Sequence, residues 1–132
     1  MTFPEYFPPQ CPPADAQSLE GEYYRFATER PGDPSHPLNF QDHITLGKTF
    51  PPRLQCDACA LSGYRSLAEL EAARVQLMKT YPRGQWDEYP VVVLDLMIDD
   101  GVYKVSPSRT SNTHCNFWPY MGRDISYRRR VV

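Results

Sequence analysis

Apolar and polar positions along the chain sort into segments of different period. Residues 91–98, Val-Val-Val-Leu-Asp-Leu-Met-Ile, are apolar on both faces of an extended chain except at Asp95, which predicts a strand in the middle of a sheet. Residues 22–28 alternate with period two, setting Tyr24 and Phe26 on one face and Tyr23, Arg25 and Ala27 on the other. At Leu67 the period changes. Leu67, Leu70, Ala73 and Leu77 recur at helical spacing behind the capping box Ser66-Leu67-Ala68-Glu69, and Pro82 lies past the end, so a helix is expected over 67–79. Asp99-Asp100-Gly101 reads as a turn, with 102–105 returning as the hairpin partner of 91–98. Residues 55–64 read as a further extended segment. Residues 125–127 and 131–132 supply a last strand, whose edge Arg128, Arg129 and Arg130 keep soluble. The sum is an α+β fold: an antiparallel sheet, one main helix and long Pro-rich loops.

A length of 132 residues suits a single domain with one core. Proline use then divides it: ten of the 14 prolines lie in the first 52 residues, where few stretches can run as unbroken helix. Residues 1–20 read as an extended arm whose Phe3, Tyr6 and Phe7 pack along the flank of the domain. Residues 29–52 form a long irregular connection with a helical turn near Leu38-Asn39-Phe40, and loops of this length are often functional. There is no internal repeat, no apolar run of signal-peptide length and no stretch near 20 apolar residues, so a cytoplasmic protein with no membrane partner is expected. In a reducing compartment Cys11, Cys56, Cys59 and Cys115 are expected as free thiols.

The net charge of −2 hides an asymmetry: residues 1–100 carry 8 Lys/Arg against 15 Asp/Glu, residues 101–132 carry 6 against 1. The simplest account lays the basic tail on the acidic body of the same molecule. Three consecutive arginines beside an acidic body make a weak nucleic-acid footprint, and a nucleic-acid partner is not expected.

Residues 111–120, Ser-Asn-Thr-His-Cys-Asn-Phe-Trp-Pro-Tyr, concentrate an imidazole, a thiol, two carboxamides, two hydroxyls and three aromatics, a mixture suited to a pocket lip or a partner-facing surface. His114 is the titratable group of that run and the candidate catalytic residue. Cys56-x-x-Cys59 is half of a zinc or dithiol motif without a second ligand pair, so two separate buried thiols and no metal are expected. Asp95, inside an apolar strand, needs a partner, and Arg25 on a neighbouring strand is eligible; the sharper reading gives Arg25 to a substrate. No Gly-rich phosphate loop, HExxH, GxSxG or kinase signature occurs.

The order of a strand bearing Arg25, then Ala60-Leu61-Ser62-Gly63-Tyr64-Arg65-Ser66 running into a helix, then the hydrophobic strand 91–98, resembles compact ADP-ribosyltransferase-like domains. The resemblance implies that Arg25 and Ser62 hold NAD, with His114 or Trp118 closing on the ring. The last glutamate, Glu88, precedes the strongest strand, so nothing matches the family's late catalytic glutamate. Two functional expectations therefore stand side by side. One is a small interaction or regulatory accessory protein with another protein as partner, drawn from the aromatic and proline-rich segments. The other is an NAD-using transferase or hydrolase, which requires Arg25, Ser62 and His114 to line one cleft.

Overall fold

The chain builds two antiparallel sheets joined at one corner. The computed structural model describes the backbone of residues 1–132 and every side chain except that of Tyr127. In chain order the elements are β1 (Gln17–Ser18), β2 (Gly21–Phe26), the short helix α1 (Gln55–Ala58), β3 (Leu61–Gly63), the long helix α2 (Leu67–Thr80), β4 (Val91–Leu96), β5 (Gly101–Val105), β6 (Cys115–Pro119) and β7 (Arg129–Val131). One sheet has the order β1-β5-β6-β3 and the other β2-β4-β7. They meet where Tyr24 and Tyr64 exchange backbone hydrogen bonds of 2.8 and 2.9 Å. The fold is α+β.

Helix α2 begins where the capping box places it: the Ser66 hydroxyl accepts from the Glu69 amide at 3.1 Å. Its buried stripe is Leu70, Ala73 and Leu77, packed on Phe26, Tyr64 and Val91, whereas Leu67 is exposed. Strand β4 is central in its sheet, as its two-sided apolarity predicts. Val92, Leu94 and Leu96 face the inter-sheet core with Tyr23, Leu61 and Phe117. The Tyr23 hydroxyl donates to the Leu61 carbonyl at 2.6 Å, with the Cys115 carbonyl at 3.1 Å, so this buried phenol ties strands of both sheets.

Four expectations are corrected. Strands β4 and β5 do not form a hairpin; residues 98–100 are a 3-10 turn that carries the chain from one sheet to the other. The reason is Asp100, fully buried, whose carboxylate accepts from the Met97 amide at 2.7 Å and pairs with Arg123 and Arg128 instead of facing solvent in a turn. Gly101 follows because β5 crosses tightly there, and any Cβ would clash with the Trp118 carbonyl oxygen. Within 55–64, residues 55–58 are helical rather than extended, with only 61–63 as strand. Within the run 111–120, residues 115–118 are buried strand rather than an open lip, Cys115 and Phe117 facing the inter-sheet core and Trp118 lying under the arm, while His114 and Asn116 line cavities. Asp95 is exposed and pairs with Arg130, not Arg25. Register explains this last case: Asp95 lies opposite Glu22, three residues from Arg25, an odd spacing that puts Asp95 and Arg25 on opposite faces.

The arm wraps the outer face of the four-stranded sheet. Phe3 and Phe7 stack at 5.7 Å and pack with Cys59, Ala60 and Trp118. Cys11 and Cys56 are joined by a disulfide across 45 residues, which corrects the expectation of four free thiols; Cys59 and Cys115 remain free and buried. Spacing within Cys56-x-x-Cys59 gave no hint, because the partner arrives on the arm. Opening the bridge, by reductant or by Cys11→Ser with Cys56→Ser, is expected to cost about 2–4 kcal/mol through the freed loop. An unchanged urea midpoint would show that packing alone fixes the arm. The basic tail lies on the body as charge predicts, Arg130 pairing with Glu22 and Asp95. Among the described residues no helix is long and apolar enough to cross a membrane.

Candidate functional site

A cavity of about 780 Å³ lies between the end of β2, β3, the C-terminal end of α2 and the loops 28–54 and 106–114. Arg25, Ser62 and His114 all line it. Alternation along β2 puts Arg25 on the same face as Tyr23, toward the inside of the fold. Its guanidinium is buried, and among the described residues Nε and Nη1 have no hydrogen-bond partner. Burial lowers its pKa from the ordinary arginine value, and the nearby phenol of Tyr23 and carboxylates of Glu29 and Asp42 only partly compensate. A buried cation with two idle donors is costly in a finished core, and a bound anion would satisfy them.

Part of the lining is aromatic: Phe26, Tyr64 and Trp86. Phe26 meets Tyr64 edge-on at 6.1 Å and Trp86 at 5.3 Å. Helix α2 holds that part, because Arg74 lies over the Phe26 ring at 5.0 Å and donates to the carbonyls of Trp86 and Tyr89. Burial pushes the Tyr64 phenol up to about 12, so it stays a neutral hydroxyl.

Two imidazoles face the cavity. His114 meets the edge of Tyr64 at 5.8 Å, and its Nδ1 lies 2.9 Å from the Ser106 carbonyl. A carbonyl only accepts, so Nδ1 carries the proton and Nε2 is the acceptor nitrogen. His43, from the long loop, has a buried Nδ1 without a partner among the described residues. Both are held below the ordinary value of 6.5, chiefly by burial, with the charges of Lys48 and Arg25 adding to the effect at His43. Both rings are therefore neutral at pH 7 in the folded protein. Unfolding lets them take protons near pH 6.5, so their contribution to stability is present above that value and is lost as pH falls through it toward their folded values. Melting temperature is expected to drop between about pH 7.5 and 5.5. A His43→Gln, His114→Gln double variant should flatten that dependence; an unchanged slope would refute the assignment.

Trp118 does not close on this cavity. It is fully buried under the arm, its indole Nε1 donating to the Cys56 carbonyl at 2.9 Å, because strand alternation turns it to the outer face of its sheet. Trp86 lines the cavity. Sequence reading also passed over His43, Tyr64 and Glu29, the last paired with Lys48 at 2.6 Å. For two of them the usable signal was loop length: 29–52 brings both Glu29 and His43 to the cavity.

A second cavity of about 360 Å³ adjoins the first, the two sharing His43, Leu54, Ser62, Ser108 and His114. Its own lining adds Asp57 and Asn116, whose side chains meet through Asn116 Nδ2 donating to Asp57 Oδ1 at 3.3 Å. Among the described residues no cluster of three or more His, Cys, Asp or Glu is arranged to hold a metal ion. Comparison with protein-family models, with curated proteins and with solved structures returned no match.

Proposed function

We propose that the protein binds NAD in the larger cavity and breaks the bond between nicotinamide and ribose, acting as a hydrolase or ADP-ribosyl transferase. The observation that carries this reading is the buried Arg25 guanidinium with unpartnered Nε and Nη1, placed in one cavity with Ser62 and His114. Arg25 grips the pyrophosphate, supplying the charge-assisted donors that an anion accepts. Ser62, exposed on β3, offers its hydroxyl to a ribose. Phe26, Tyr64 and Trp86 give a flat heterocycle an aromatic wall. Two neutral imidazoles line the space between, available as hydrogen-bond acceptors. A volume of about 780 Å³ suits a ligand of this size.

The interaction-protein reading draws on the aromatic and proline-rich segments. Many of those rings, Phe3, Phe7 and Trp118 among them, pack within the fold, so the cleft is the better-supported feature. The test is a thermal-shift panel of NAD, mononucleotides and zinc chloride. NAD at about a hundred times its Kd should stabilise by about 2.7 kcal/mol, mononucleotides should give less, and zinc nothing. No shift with millimolar NAD would remove the reading.

A further inference from the structure

The two adjoining cavities differ in charge. The larger holds the Arg25 cation, and in the smaller Asp57 is the single acidic residue of the lining among those described. The lining they share is His43, Leu54, Ser62, Ser108 and His114. A ligand anchored by its phosphates at Arg25 and reaching that shared lining presents its far end to Asp57. The carboxylate is itself placed. Asp57 sits in α1, whose following residues Ala58 and Cys59 are buried, and Asn116, 3% exposed on the central strand β6, donates its amide to Oδ1. A buried carboxamide aimed at an exposed carboxylate fixes which way that carboxylate points and leaves Oδ2 for another partner. Asp57 and His114 line the same small cavity, and the carboxylate's charge works against the burial that lowers the His114 pKa.

We propose that the smaller cavity is the acceptor subsite of the same reaction and that Asp57 is its general base, acting on an O–H nucleophile. The assignment rests on the reading of the larger cavity as an NAD site. In the step, the bond between the nicotinamide nitrogen and C1′ of the ribose breaks, and its electron pair stays on that nitrogen, releasing neutral nicotinamide. The acceptor oxygen bonds to C1′, and its proton passes to the Asp57 carboxylate. No redox partner is required. The negative charge of Asp57 also favours the positive charge that develops at C1′ as the bond opens. In buffer the acceptor is water and the products are ADP-ribose, nicotinamide and a proton. A space of about 360 Å³ admits more than one water, so a small alcohol fits the same subsite.

The experiment measures NAD affinity by calorimetry and nicotinamide release by chromatography, on wild-type protein and Asp57→Asn. Because Asp57 is exposed, asparagine there should leave the melting temperature unchanged. The expected result is a loss of release of about 100-fold or more, the usual range for a general base, with NAD affinity retained within about twofold. Release retained in Asp57→Asn would overturn the assignment while leaving the NAD site intact. Loss of affinity together with release would also overturn it, making Asp57 a binding group. Wild-type protein that neither binds nor cleaves NAD would remove the assignment and the reading beneath it together.

Discussion

Arg25→Met is expected to stabilise the ligand-free protein and to abolish its response to NAD. Its Nε and Nη1 are buried and have no partner among the described residues, so the folded state carries the desolvation of a cation that Tyr23, Glu29 and Asp42 only partly offset. An unbranched apolar chain of similar length fills the space and removes that penalty, worth about 1–3 kcal/mol for unsatisfied buried donors. For a domain of this size the melting temperature should rise by roughly 3 °C or more. The same change removes the anion-gripping group, so the NAD-dependent shift should vanish. The opposite signs matter. A structural arginine would lose stability on substitution and leave ligand response to other groups. If Arg25→Met melts below wild type, or still responds to NAD, Arg25 is not the centre of a binding site.

The second large effect lies far from the cleft. Asp100 is completely buried, accepts from the Met97 amide, and pairs with Arg123 and Arg128 from the basic tail. Asp100→Ala removes the buried carboxylate that Arg123, Arg128 and the Met97 amide share at the point where the chain changes sheets. Breaking one partner of a buried pair costs about 3–5 kcal/mol. The urea midpoint should fall accordingly, and the last strand, held next to β4 by this anchor, should lose hydrogen-exchange protection first. A midpoint within experimental error of wild type would mean that the 3-10 turn and tail dock without the carboxylate.

What the sequence disclosed follows from the range of each interaction. Helix α2, strand β2 and strand β4 were legible because capping, period and apolarity are local, and the structure places them at 67–80, 21–26 and 91–96. The sheet change at Asp100 was not legible. Asp-Asp-Gly has the composition of a solvent turn, and only Arg123 and Arg128, more than 20 residues away, turn it into a buried anchor. The disulfide was hidden for the same reason, its partner lying 45 residues off on the arm. Arg25, Ser62 and His114 were each visible as residues, and the fold brings all three to one cavity. Trp118 was misplaced because its neighbours' polarity suggested an open lip, whereas the strand sinks into the core and turns the indole under the arm. Tyr64 and Trp86 are at the cavity through tertiary packing by α2, which no local pattern announces.

The most direct test of the account is to follow NAD by proton NMR in the presence of the folded wild-type protein. The ring protons of bound nicotinamide and of free nicotinamide are distinct, so bond cleavage is read without a coupled assay. The account predicts that the NAD signals decay while free nicotinamide and ADP-ribose appear in equal amounts, and that Arg25→Met protein leaves NAD unchanged. NAD that stays intact and unbroadened beside wild-type protein would contradict it.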